Sequence, residues 1–318
     1  MTQLFRDVQG KPLCPGGSVV CIGAFDGLHR GHQTLVGHAR DRARELSLPA
    51  VALSFEPLPR EFFSPQQPPA RLLLPRAKFE GLRALEMDIV GLLRFNAALV
   101  AMSAEEFIEL VLLQRLSARE VWVGPGFRFG KGRTGDIAML RRTGAERGFE
   151  VREIAPVQVD GERVSSSNLR AHLAAGELAA AAHALGWRYA IGGKVVRGRQ
   201  LGRALGYPTA NLRLGRKRPA MTGIFATWVH GVGDAPWPSV SSLGTRPTVA
   251  GTEPLLEAHL FDFSGDLYGQ RIEVEFVAKL RDEGKFNDLT ALVVQMDIDS
   301  QQARRALRLD TQESGALA

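Results

Sequence analysis

Cysteine is nearly missing from this chain: 318 residues contain only Cys14 and Cys21. That rules out a disulfide framework or a cysteine-based zinc site, and both thiols are expected to be reduced bystanders, Cys21 within a buried strand. Long apolar runs are missing too. No stretch reaches the roughly 18 residues of a membrane span, and Met1-Thr2-Gln3-Leu4-Phe5-Arg6-Asp7 has no apolar targeting core, so a cytoplasmic protein away from membranes is expected. The formal charge of +6 comes from scattered residues, with none of the signatures of a nucleic-acid reader. Arg216-Lys217-Arg218, the densest basic cluster, reads as a solvated loop. No internal repeat relates the two halves. A hydrophobic fraction of 45% with 23% charged residues fits a folded globular protein, and the length allows two cores.

What is present is concentrated in a few segments. Directly after the apolar run Val19-Val20-Cys21-Ile22 comes Gly23-Ala24-Phe25-Asp26-Gly27-Leu28-His29-Arg30-Gly31-His32. Glycines let a backbone approach a polyanion, and a following helix directs free N–H groups and its positive dipole end at phosphate. Two imidazoles in an HxGH pair at a helix start can donate to a triphosphate and stabilise charge growing on departing pyrophosphate. This is nucleotidyl-transfer chemistry. The turn carries neither a Walker A ending nor a GxGxxG fingerprint, which takes support from the P-loop and dinucleotide readings. His29 and His32 are three apart with no third ligand in evident position, while His259 lies in the other half, so zinc catalysis is not expected.

From Ser18 to about Pro156 short β-rich runs alternate with amphipathic stretches: 18–25 then 33–46, 50–55 then 76–85, 88–93 then 104–116, 120–123 then 136–147, and finally 149–154. The rhythm predicts a parallel sheet covered by helices, with ligands at the carboxyl ends of the strands. Pro75 suits a first helical position, Ser103-Ala104-Glu105-Glu106 is a capping box, and Leu35, Ala39, Ala43 and Leu46 share a helical face. Ser64 to Ala70 reads as an exposed loop. An Ala/Leu-rich helix is predicted from Ser167 to Leu185, ending at Gly186, where the domain boundary is placed: 1–186 and 187–318. Beyond it, strand-like runs at 189–197, 224–231, 239–243, 256–263 and 271–279, separated by Gly/Pro turns, predict a small antiparallel β-barrel. A terminal helix near 288–307 follows, whose Leu289, Leu292, Val293 and Met296 are expected to be core packing.

The second half holds another glycine-rich turn, Gly198-Arg199-Gln200-Leu201-Gly202-Arg203-Ala204-Leu205-Gly206-Tyr207-Pro208-Thr209-Ala210-Asn211. Thr209 and Asn211 can offer oxygen ligands to Mg²⁺ and nucleotide phosphate, with Arg199 or Arg203 balancing charge. Glu257, in Leu256-Glu257-Ala258-His259-Leu260, is a carboxylate able to take a proton from an attacking hydroxyl. Positioned phosphates, a metal and a base suffice for phosphoryl transfer.

Several segments, in order across the chain, carry a resemblance: the decapeptide above, Phe55-Glu56-Pro57-Leu58-Pro59-Arg60-Glu61-Phe62-Phe63, Phe127-Arg128-Phe129-Gly130, Leu205 to Asn211, Ser242-Leu243-Gly244-Thr245-Arg246-Pro247-Thr248 and Leu280-Arg281-Asp282-Glu283. From Val19 to Arg304 the chain resembles the prokaryotic bifunctional riboflavin kinase/FMN adenylyltransferase family, also called FAD synthetase. The resemblance implies a Rossmann-like nucleotidyltransferase domain followed by a kinase barrel. In the barrel ATP phosphorylates riboflavin to FMN, and in the N-terminal domain a second ATP converts FMN to FAD and pyrophosphate. It also implies ATP contacts in the first domain from Gly23, Phe25, Asp26, His29, His32, Ser166, Ser167 and Arg170, and FMN contacts from Pro57, Pro59, Phe62 and Phe127. In the barrel it implies nucleotide contacts from Gly198, Arg203, Gly206, Pro208, Thr209 and Asn211, with Mg²⁺ on Thr209 and Asn211. Glu257 would be the general base, and riboflavin would meet Arg281 and Glu283. The implied partners are small molecules only, with the protein a monomer or weak homo-oligomer.

Three positions depart from the family pattern, all in the first half: Gly126 where Asp or Asn is usual, Leu58 where His is frequent, and Asn168 where the family often has Arg. They motivate a reading of another class, a monofunctional riboflavin kinase whose N-terminal domain only binds flavin nucleotide. The intact His29/His32 pair opposes it.

Overall fold

The structure is a computed structural model, described at residues 1–198, 202, 205–215, 217–248 and 251–309. The chain forms two compact units, Met1–Pro69 with Pro75–Ser166, and Ala70–Leu74 with Ser167–Ala318.

In the first unit six strands form one parallel sheet: β1 (Gln3–Phe5), β2 (Ser18–Ile22), β3 (Ala50–Glu56), β4 (Ile89–Arg94), β5 (Ala118–Val123) and β6 (Glu150–Glu153), in the order β1-β4-β3-β2-β5-β6. Every residue of β2 is buried, as expected for a central strand covered on both faces. The chain winds outward from β2 through β3 and β4, then crosses back to β5 on the other side of β2. The carboxyl end of β2 is therefore the topological switch point, where open parallel sheets bind their ligands. Helices α1 (Arg30–Glu45), α2 (Pro59–Phe63) and α3 (Pro75–Ala84) follow the strands. Pro75 occupies the first position of α3, as predicted. Ser103 caps the helix that begins at Ala104 through its hydroxyl on the Glu106 N–H at 3.1 Å, and Glu106 returns a carboxylate to the Ser103 N–H at 2.8 Å. This is the predicted capping box. The predicted helix over 104–116 is α-helical only over Ala104–Glu106 and widens to π-helix over Phe107–Arg115. Strand β1 was not anticipated. It is three residues long, too short to show alternation, and is held by parallel pairing with β4.

The second unit is a closed six-stranded antiparallel barrel of β7 (Ala190–Val196), β8 (Ala210–Arg213), β9 (Gly223–His230), β10 (Trp237–Thr248), β11 (Gly251–Leu260) and β12 (Arg271–Arg281), closing in the order β7-β8-β11-β10-β9-β12. Leu212, Phe225, Leu243, Leu256, Ala258, Val274 and Phe276 point inward and are buried. The single helix predicted over 167–185 is two helices, Ser166–Ala175 and Leu178–Leu185, broken at Gly176, whose φ of +79° ends the first. Both contribute to the same core through Leu169, Leu173, Leu178, Ala181 and Leu185. Gly186 ends the second helix with φ +87°, as predicted. Strand β8 was missed because its four residues sit at the end of the glycine-rich turn. It pairs Val195 with Leu212 on one side and Glu257 with Asn211 on the other.

The terminal helix α4 (Leu289–Ala306) lies on the outer face of the barrel, with Ala303 and Leu307 packing onto Ala226 and Phe261. The stripe expected as core is only in part that. Leu289 is 56% exposed, and Leu292 and Met296 line a cavity. A helix that roofs a cavity needs an apolar face just as one sealing a core does, and periodicity cannot separate the two.

Candidate functional sites

The first site is built at the end of β2. Phe25 and Leu28 both take φ +47° in the turn, and the Phe25 ring is fully buried, packing edge-on to His32 at 5.4 Å. What Phe25 presents outward is therefore backbone. Asp26 is also buried and accepts the Ser166 hydroxyl on its carbonyl at 2.8 Å, which brings Ser166 to the turn. His29 is the N-cap of the 16-residue α1, its Nδ1 accepting from the His32 N–H at 3.4 Å. The two imidazoles stack at 3.7 Å, tilted by 18°. Close stacking of two cations is unfavourable, and the His32 ring is desolvated besides. Burial first, then His29, then Lys78 hold His32 well below the ordinary histidine value of 6.5. Its Nδ1 is buried with no hydrogen-bond partner. Gly31 lies where a Cβ would press the His29 ring at 3.3 Å, so the small residue between the histidines makes their stacking possible.

An aromatic group stands at the ends of β3 and β4. Pro57 follows a cis peptide bond, and Pro59 opens α2, which is capped by the Glu61 carboxylate on the Leu58 N–H at 3.0 Å. Phe62 meets Phe63 and Phe95 at 5.5 Å each, and Phe95 meets Phe55 at 5.8 Å. Phe127 is partly exposed and stacks on Phe129 at 5.6 Å. Gly126 has φ +71° with open space where a side chain would stand. Asn and Asp are the residues besides glycine that accept such a φ. Ser167 and Arg170 belong to the second unit, where Arg170 Nε donates to the Ala70 carbonyl at 2.6 Å.

The second site is on the outer face of the barrel. Leu256, Ala258 and Leu260 alternate into the core, which turns Glu257 and His259 outward on the same strand. They line a cavity of about 390 Å³ together with Thr209, Arg281 and Glu283, roofed by Met296 and Asp299 of α4. Glu257 lies directly across from Asn211 in the ladder and from Ser242 on its other side. His259 donates from Nδ1 to the Pro208 carbonyl at 2.9 Å, and burial lowers its pKa below the ordinary value. Burial also raises the Glu283 carboxyl, against the lowering effect of Arg281. Arg281 is held by Asp299 through two parallel bonds, Nε to Oδ1 at 2.8 Å and Nη2 to Oδ2 at 2.6 Å, and Gln295 supports the same carboxylate at 2.9 Å. Sequence reasoning missed Asp299, because a lone acid within an amphipathic helix gives no signal of its distant partner. Tyr207 bonds Asp297 of the same helix.

Thr209 and Asn211 converge. The Asn211 Nδ2 donates to the Thr209 carbonyl at 3.1 Å and hydroxyl at 3.3 Å, leaving Oδ1 buried without a hydrogen-bond partner. A Cβ on Gly198 would lie 2.6 Å from that oxygen, so glycine is required there. An orphaned buried amide oxygen beside a hydroxyl suits a hard cation. Thr209 and Asn211 also line a neighbouring cavity of about 650 Å³ with Arg197, Pro208, Phe263 and Tyr268; the Arg197 guanidinium lies 5.4 Å from the Tyr268 ring. Gly206 takes φ +87° in the turn. Arg203 falls outside the described residues. Among the described residues no group of three or more His, Cys, Asp or Glu side chains is placed to hold a metal ion.

A parallel-sheet unit with paired imidazoles at a helix tip, joined in one chain to a barrel with a carboxylate-lined cavity, defines a transferase with two separate centres. Two family models divide the chain in the same way: FAD synthetase matches residues 11–168 and Riboflavin kinase residues 185–307. The bifunctional riboflavin kinase/FMN adenylyltransferase of Pseudomonas fluorescens is 44% identical over 95% of this chain and 97% of its own length, and that of Escherichia coli (strain K12) is 41% identical over the same shares. A crystal structure from Streptococcus pneumoniae, described as a macrolide-efflux protein, superposes with a TM-score of 0.79 at 28% identity, covering 95% of this chain and 98% of that one. No described helix here is long and apolar enough to cross a membrane. The chain belongs to the bifunctional riboflavin kinase/FMN adenylyltransferase family.

Proposed function

We propose that the two centres divide the work of FAD biosynthesis, residues 1–186 adenylylating FMN and residues 187–318 phosphorylating riboflavin. The chain is a bifunctional riboflavin kinase/FMN adenylyltransferase, and the assignment of each step to its residues rests on the geometry. The observation that carries it is the convergence of Glu257, Thr209, Arg281 and Glu283 on one cavity, in a unit separate from the stacked imidazoles.

In the barrel the ribityl 5′-hydroxyl attacks the γ-phosphorus of ATP and gives its proton to Glu257, while ADP departs. Thr209 Oγ1 and Asn211 Oδ1 are the oxygens that would hold Mg²⁺, which when bound neutralises charge on the polyphosphate. Arg281, locked by Asp299, and Glu283 orient the flavin. In the first unit an oxygen of the FMN phosphate attacks the α-phosphorus of ATP, and the bond to the β-phosphate oxygen breaks. FMN phosphate is already a nucleophile, so no strong base is needed and orientation with charge stabilisation dominates. His32, neutral at physiological pH, donates a hydrogen bond without adding to the charge of its neighbour. Phe62 and Phe127 offer apolar faces to the isoalloxazine, with Pro57 and Pro59 beside them, while the turn from Gly23 to Asp26, with Ser166, meets the nucleotide.

Incubating the purified chain with riboflavin, ATP and Mg²⁺ and resolving both products tests this reading. FMN should form first and FAD should follow. FMN with no FAD at any enzyme or ATP concentration would instead support the monofunctional kinase.

A further inference from the structure

Lys78 is fully buried in the first unit, and nothing in the chemistry above uses it. Burying an ammonium costs several kcal/mol unless it is bonded or serves a purpose. Its Nζ donates to the Ser54 hydroxyl at 3.3 Å and to the Phe55 carbonyl at 3.4 Å, with the Glu56 carboxylate at 3.9 Å. Because Ser54 Oγ accepts from Lys78, its own proton is free to go elsewhere, and it donates to the Ala24 carbonyl at 3.0 Å. Ala24 lies within the turn that ends in His29 and His32. One helical turn further along α3, Gly81 is so close to that turn that a Cβ would meet Leu28 Cδ1 at 2.4 Å. Residues three apart share a helical face, so α3 presses both Lys78 and Gly81 toward the strand end and turn.

We propose that Lys78 is a positioning residue of the adenylyl-transfer centre: through Ser54 it fixes the backbone of the phosphate-holding turn, and it sets its Nζ behind a site built for a polyphosphate. The inference rests on reading that turn as the adenylyl-transfer site. Lys78 touches no reacting atom. It acts by orienting the turn and by electrostatics, and its proximity is among the causes keeping the His32 ring neutral.

The test compares the full chain with Lys78→Met, Ser54→Ala, the double variant, and Lys78→Ala with and without added propylammonium, the cation that the deletion removes. FMN adenylylation and riboflavin phosphorylation are both followed. Lys78→Met, close in volume and neutral, should lower kcat for FAD formation about 100-fold, with a smaller change in KM for ATP, and leave the kinase rates unchanged. Ser54→Ala should lose less, the double variant should be no worse than Lys78→Met alone, and propylammonium should restore part of the Lys78→Ala loss. Wild-type FAD synthesis in Lys78→Met overturns the proposal. So does a loss that tracks the melting temperature, adds to that of Ser54→Ala and resists rescue. If the unaltered chain makes no FAD from FMN, it is the reading of the site that fails, a result distinct from either.

Discussion

At His32 position and protonation are tied together. The ring is stacked on His29 at 3.7 Å and its pKa is depressed by burial, by His29 and by Lys78. In the unfolded chain it titrates near 6.5, so between its folded pKa and 6.5 the unfolded state binds more protons than the native one. Stability therefore rises with pH across that window and is lost as pH falls below 6.5. His259, also depressed by burial, adds a contribution of the same sign in the second unit. His32→Gln should accordingly flatten part of the pH dependence of unfolding between about pH 6.5 and 5, read as denaturation midpoints of wild type and variant at matched pH. An unchanged slope would mean that His32 titrates normally in the folded protein. The HxGH spacing made this pair visible in the sequence, whereas its stacking and the buried cation behind it come from tertiary packing. Gly126 shows the same division: a departure from the family pattern in sequence, but in structure a position with φ +71° and open space beside it.

Among the elements, the terminal helix couples packing to the barrel cavity. Two carboxylates two residues apart hold residues that line it, Asp297 bonding Tyr207 and Asp299 gripping Arg281. Removing one partner of a largely buried pair leaves the other uncompensated, which costs about 3 to 5 kcal/mol when both are fully buried. Arg281 is 23% exposed, so the cost of Asp299→Ala should fall to about 2 kcal/mol, near that of a lost charged hydrogen bond. Arg281 would also be freed from its fixed orientation. We expect a lower melting temperature and a raised KM for riboflavin, with FMN adenylylation unaffected. Calorimetry and separate steady-state assays on one preparation check this. The alternation of apolar and polar residues made most barrel strands legible, including Arg271 to Phe276, since half-buried antiparallel strands write their pattern into the chain. Strand β8 and the break at Gly176 were not legible. The first is shorter than its flanking turn, and the second interrupts a run whose composition is uniformly helical.

For the molecule as a whole, one chain carries two anion-holding centres of different construction. In the proposed assignment one relies on a helix tip and stacked imidazoles at a sheet's switch point, the other on a hydroxyl, an amide oxygen and a carboxylate beneath a helix on a barrel. Their chemistry needs no shared residue, so each should survive loss of the other. That a parallel-sheet half is followed by a barrel half was readable from the change of rhythm along the chain, because βα alternation and β-hairpin alternation have different periods. Ala70–Leu74 joining the second unit was not readable, since its pairing with distant residues leaves no local trace.

The most direct test is a crossover: FMN formation from riboflavin and FAD formation from FMN, each measured in Glu257→Ala and in His29→Ala. The account predicts that Glu257→Ala abolishes the first and spares the second, while His29→Ala does the reverse, with losses on the order of 10²-fold or more. Loss of both activities in either folded variant, or a crossed pattern, would contradict it.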